Sequence, residues 1–174
     1  MNRADRRRWR QAATLADLGE LVIAWLNGEI TQTPGHLGPP CDETIPLIPA
    51  LTLANRAGFV TDNSSPAASA WGDWSEASVS GFVSDSDLER LREVTGGLVL
   101  AACRHSHHEC GKTKPWELWC PGREVRGFWS RACPAVGEEL AGAWFVMIGD
   151  PAPGRNDRLW PALERFAASP GGAR

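Results

Sequence analysis

The chain has no tyrosine, and it lacks the familiar signatures of nucleotide, zinc-peptidase and esterase chemistry. No G-x-G-x-x-G, P-loop, H-E-x-x-H or G-x-S-x-G occurs, so the motif-borne forms of those activities are excluded. Long apolar runs are missing too. The longest, Leu98–Cys103 and Ala143–Ile148, are far too short to span a bilayer. Residues 14–28 carry Asp17, Gly19 and Glu20 and read as an amphipathic segment, not a signal-peptide core. A membrane partner is therefore not expected. A strong excess of one charge is also absent. The net charge of −3 supplies no global field toward nucleic acid, so a nucleic-acid partner is not expected on charge. There is no C-x-x-C, and the five cysteines are an odd number. The expectation is a cytoplasmic protein with reduced thiols.

What is present is a globular composition. With 43% hydrophobic and 22% charged residues, 174 residues suffice for one core and one domain. Nine tryptophans take over the space-filling role of large aromatics, and 18 glycines and 13 prolines predict short elements joined by many turns. Residues 1–10 carry Arg3, Arg6, Arg7, Arg8 and Arg10 and are expected to form a flexible, solvated basic arm ahead of a single domain over 11–170.

Thr14 with Asp17 predicts an N-capped helix, whose apolar positions Leu15, Leu18, Val22, Trp25 and Leu26 recur at helical spacing until Gly28. Residues 31–41 read as a Pro/Gly loop. Pro49–Ala57 is expected to be a short helix, Phe59–Thr61 a strand, 62–74 a loop and Glu76–Val83 a strand. Ser86 and Glu89 suggest a capping box for the next helix, and Leu98–Cys103 a buried strand. Trp116–Cys120 and Glu124–Ser130 read as a hairpin around Pro121-Gly122. Pro134–Leu140 reads as a short helix, Ala143–Gly149 as a strand, and a last helix is expected to be capped by Asp157. This mixture without a βαβ rhythm predicts an α+β fold, a small mixed or antiparallel sheet flanked by helices.

Several stretches also occur in a fixed order: WLNGEI, ETIPL, NRAGFVT followed by Ser-x-Pro, a tryptophan before A-x-V-x-G-F, and GRNDRLWPALERF. Over roughly residues 9–168 this order resembles a family of unknown function carried by actinobacteria and their phages. The resemblance implies a shared fold and site region. That family's Ser-Gln-Pro-Gly turn corresponds here to Ser64, Ser65, Pro66 and Ala67.

Two clusters are rich enough in reactive side chains to be candidate sites. Glu43, Thr44, Asn55, Arg56, Thr61, Asn63, Ser64 and Ser65, with Glu76, surround a predicted helix–strand–turn unit. Glu43 is the expected proton-transfer residue, with Ser64 and Ser65 as catalytic hydroxyls. Thr44, Asn55, Thr61, Asn63 and Glu76 are expected to bind the ligand, and Arg56 to hold an anionic group. The plainer alternative makes Asn55 and Thr61 helix and strand caps and Ser64-Ser65-Pro66 a turn.

The second cluster is Cys103, His105, His107, His108 and Cys110, with Cys120 and Cys133 downstream. Thiolate and imidazole are zinc ligands, and Cys103, His105 and His107 share one face of an extended strand, with Cys110 completing a set of four. The spacing matches no standard knuckle. A metal-free loop and a Cys110–histidine catalytic pair are the competing readings. In GRNDRLWPALERF, helix capping by Asp157 accounts for the residues without a ligand.

The leading functional expectation is a small enzyme, a hydrolase or transferase, acting on a small polar metabolite or amino-acid-like group around residues 42–65. The alternative is a non-catalytic interaction module of mobile-element or phage type that binds a protein or nucleic acid.

Overall fold

The computed structural model describes residues 1–67, 76–104 and 122–169. Among these residues the chain forms seven α-helices and one four-stranded antiparallel sheet, the expected α+β class. The helices are α1 (Arg3–Gln11), α2 (Leu15–Leu26), α3 (Ile48–Arg56), α4 (Asp85–Val94), α5 (Gly122–Ala132), α6 (Gly137–Gly142) and α7 (Leu159–Ala168). The strands are β1 (Val60–Ser65), β2 (Ser78–Val83), β3 (Val99–Cys103) and β4 (Trp144–Gly149), in spatial order β1-β2-β4-β3. None of these helices is long and apolar enough to cross a membrane.

Both faces of the sheet are covered. Phe82 of β2 and Phe145 of β4 meet edge-on at 5.3 Å between ring centroids, and Trp129 of α5 packs on Phe82 at 5.9 Å. Trp9 of α1 packs on Trp129 in turn, at 5.6 Å. Side chains alternate along a strand, so Val79, Gly81 and Val83 belong to the opposite face, where α3 lies between α2 and α7.

The basic segment is not a loose arm. Asn2 caps α1, Trp9 is completely buried, and the buried Asp5 carboxylate accepts hydrogen bonds from Thr31 N (3.1 Å), Thr31 Oγ1 (2.8 Å) and Asn2 Nδ2 (2.8 Å). Arginine density alone suggested solvation. One tryptophan and one aspartate in the right helical positions anchor the segment instead.

Other local readings shift for equally specific reasons. Thr14 and Asp17 do form both halves of a capping box. The cap of α4 is Ser84 with Asp87, not Ser86 with Glu89, because β2 ends at Val83 and the helix starts directly after it. Asp157 does not cap α7. It holds Arg155 in a two-pronged ion pair, and α7 starts at Leu159 without a side-chain cap. Glu124–Ser130 belongs to α5 rather than to a strand. Val125, Trp129 and Cys133 are four apart, and Arg126 donates to the carbonyls of Arg104, Leu140 and Ala143, a set of partners that no local pattern reveals. The expected strand at Trp116–Cys120 lies outside the described residues.

Candidate functional site

β1 is an edge strand of the sheet, and it is longer than expected. It continues through Ser64 and Ser65, which therefore sit at a strand end instead of in a turn. Its ladder with β2 contains a bulge: Thr61 lies opposite Gly81, Asn63 lies opposite Ser80, and Asp62 is the extra residue. The insertion changes the alternation, so Thr61 and Ser64 come to lie on the same face, opposite Gly81 and Val79 respectively. Gly81 is what lets the bulged strand approach so closely. A Cβ there would lie 2.2 Å from the Val60 carbonyl oxygen and 2.8 Å from the Thr61 Cα.

The loop over 31–44 runs alongside this edge and is fastened by indoles. Trp9 Nε1 donates to the Gln32 carbonyl (3.1 Å) and Trp25 Nε1 to the Gly38 carbonyl (2.9 Å). The His36 ring stacks on Trp25 at 5.6 Å and places Nε2 2.6 Å from the Asp62 carbonyl oxygen. A carbonyl oxygen only accepts, so Nε2 carries the hydrogen and Nδ1 is the nitrogen able to take up a proton. The bond also occupies a backbone acceptor on the sheet edge.

Between loop and strand lies a cleft of about 410 Å³. Of the residues expected from the sequence, the cleft brings together Glu43, Thr44, Thr61, Asn63, Ser64 and Ser65. Asn55 stands behind its wall: it is buried, donates to Leu51 O and Thr61 Oγ1 (2.8 Å each), and accepts from Thr61 N (3.0 Å). It positions Thr61 and does not line the cleft. Arg56 is exposed at the end of α3 and lines a separate shallow depression with Arg8, Asp17, Glu20 and Glu29. The anion clamp expected of it is therefore absent from the cleft. Glu76 precedes β2 and is not among the lining residues.

The residue that sequence reasoning missed is Asp62. Its Oδ1 accepts the Trp129 indole hydrogen at 2.7 Å, and a Cβ on Gly35 would come within 2.9 Å of the same oxygen. Burial pushes the Asp62 carboxyl above the ordinary aspartate range, while the Trp129 hydrogen bond and the charge of His36 pull it down. His36 and Cys41 were missed as well. Cys41 Sγ lies 3.2 Å from Thr44 Oγ1. The only sequence signal for His36 was a lone imidazole between Gly35 and Gly38, which reads simply as loop. Among the described lining residues there is no lysine or arginine, so the cleft carries carboxylates without a fixed cation.

A profile of the family described as Domain of unknown function (DUF6919) matches residues 4–114, well over half of the chain. The chain belongs to this family. No curated protein matches it. The DUF6919 span contains every residue lining the cleft, together with α1 from Ala4 onward and strands β1 to β3. Trp129, the central strand β4 and the GRNDRLWPALERF stretch lie beyond it. In that last stretch Asn156 has a structural role, its Oδ1 accepting from Ala67 N (2.8 Å) and Trp160 Nε1 (3.2 Å).

Of the expected zinc set, His105, His107 and Cys110 lie outside the described residues, as does His108. Cys103 is the buried last residue of β3. Cys133 is also buried, and burial pushes its thiol up to about 12, which disfavours the thiolate a metal needs. Among the described residues no three His, Cys, Asp or Glu side chains converge as a metal site.

Proposed function

We propose that the cleft between the 31–44 loop and β1 is the active site of a small cytoplasmic enzyme, a hydrolase or transferase, acting on a polar metabolite by acid–base chemistry. The observation that carries the reading is the meeting of His36 and Glu43 from the 31–44 loop with Asp62 from β1, three proton-exchanging side chains around one concave surface. A carboxyl that burial holds toward its neutral form suits a general acid, and Asp62 takes that role beside Glu43 as base. Thr44, Ser64 and Ser65 supply hydroxyls that orient the substrate. The lack of a described cation in the lining favours a neutral or amine-bearing substrate over a phosphate or carboxylate.

The test is a thermal-shift screen of neutral and amine-bearing polar metabolites against the full chain, followed by turnover assays on each hit. Glu43→Gln and Asp62→Asn are expected to lower turnover at least roughly 100-fold, the usual scale of general acid–base contributions. Unchanged turnover in both variants refutes the proposal. The interaction-module reading has separate support in the arginines of α1.

A further inference from the structure

On the far side of the 31–37 loop from the cleft lies a groove of about 530 Å³ between α1 and α5. Its lining includes Trp9, Pro34, Leu37, Phe128 and Ala132. Two of these are apolar side chains turned to solvent, Leu37 at 92% exposure and Phe128 at 54%. Arg6 and Arg10 line it from α1 and Arg131 from α5, and Arg131 lies 4.9 Å over the Phe128 ring.

Among the described residues the charge on this side is unpaired. Arg90, Arg92, Arg104, Arg155 and Arg158 each pair with a carboxylate. Arg3, Arg6, Arg7 and Arg10 pair with none among the described residues. Spacings of three and four put Arg3, Arg6, Arg7 and Arg10 on neighbouring positions of one short helix, where like charges work against helix formation. A protein of net charge −3 that keeps such a stripe beside exposed apolar side chains presents a surface complementary to something both acidic and apolar.

We propose that the α1–α5 groove docks an acidic segment of a partner protein, with one apolar side chain seated between Phe128 and Leu37 and its carboxylates on Arg6, Arg10 and Arg131. A nucleic-acid backbone would satisfy the arginines but leaves Leu37, Pro34 and Ala132 without a counterpart. A bilayer would take up the exposed Leu37 but would not enter the groove between α1 and α5, which a single peptide side chain can fill. The inference does not depend on the cleft being an active site.

The experiment is fluorescence anisotropy with the full chain and labelled probes: a peptide alternating glutamate with leucine and phenylalanine, a polyglutamate of equal charge, and a single-stranded oligonucleotide of equal charge. Sedimentation with phosphatidylserine vesicles completes the set. The mixed peptide is expected to bind about tenfold or more tighter than polyglutamate, and to weaken as salt rises from about 25 to about 250 mM. Arg6→Glu with Arg10→Glu, and separately Phe128→Ser, are expected to weaken it at least about tenfold. Arg92→Glu, on α4, should leave it unchanged. These positions are exposed, and melting curves that match the parent protein establish that each variant is folded. Equal binding of the two peptides, indifference to Phe128→Ser, tighter binding of the oligonucleotide or vesicles, or no binding of any probe each overturns the proposal.

Discussion

Two opposing influences act on Asp62: its carboxylate is held by the Trp129 indole, and burial pushes the carboxyl toward its neutral form. A carboxyl raised in the folded state is protonated there before it is in the unfolded chain. It therefore costs stability at pH values above its folded pKa, and that cost vanishes as pH falls below the ordinary value of 3.8. Asp62→Asn keeps an acceptor for Trp129 and removes the charge. It is expected to be more stable than the parent at neutral pH, by roughly 0.5–2 kcal/mol, while losing function. Urea midpoints measured across pH should show the gap closing toward about pH 3, and a gap that widens on acidification contradicts the assignment. Trp129→Phe acts on the same pair from the other side. Leaving Oδ1 without its donor should cost roughly 1–3 kcal/mol and move the Asp62 titration, followed by carboxyl carbon NMR, further upward. A downward movement would mean that the indole is not what holds the carboxylate.

At the scale of elements, the bulge of β1 decides which side chains reach the cleft. Without the extra residue, Thr61 and Ser64 would face opposite sides of the sheet. Gly81→Ala brings a methyl group into backbone atoms that cannot rotate away, so the expected loss is about 3 kcal/mol, with the bulge register disturbed. Gly142→Ala, where nothing lies within 4 Å, is the matched control and should be neutral or slightly stabilising. Thermal melts of the two variants compare them directly, and similar midpoints would argue against close approach at β1–β2. Tryptophan also acts at this scale. All five described indoles find an acceptor: Trp9 and Trp25 on the loop, Trp129 on Asp62, Trp144 on Asp85 and Trp160 on Asn156. The composition showed large core fillers. That they also pin loops and aim a carboxylate depends on what stands opposite each ring.

Across the whole molecule, Arg90 ties the helices of one sheet face together. Its guanidinium donates to Ala57 O, just past α3, to Phe166 O of α7, to Ser169 Oγ and to Asp87, and it lies 4.3 Å over the Phe166 ring. Arg90→Met should cost roughly 1–3 kcal/mol because those buried acceptors lose their donor. Arg92→Met, two positions along in an exposed pair with Glu89, should change stability by less than about 0.5 kcal/mol. Chemical denaturation separates these outcomes, and equal effects would remove Arg90 from this bridging role. The loop over 31–37 is shared in a similar way, since its residues line both the polar cleft and the arginine-rimmed groove.

By itself the sequence determined the α+β class, the capping box at Thr14 and Asp17, the short helix that runs into NRAGFVT, and the strands β3 and β4, although β4 is largely buried and β3 only at Cys103. Each of these is written in contacts between residues a few positions apart, where periodicity and capping chemistry act. It also marked residues 43–65 as unusually polar, and six of the eight residues named there do line one cleft. Tertiary structure alone decided the rest. Arg56 leaves the cleft because the direction a side chain takes from the end of α3 depends on how that helix packs. Residues 124–130 are helical because Trp129 and Arg126 find partners distant in sequence. Asp62 enters the site because a bulge, allowed by a glycine on the neighbouring strand, turns it toward an indole 67 positions away. Such partnerships join residues that are far apart along the chain, so no local pattern carries them.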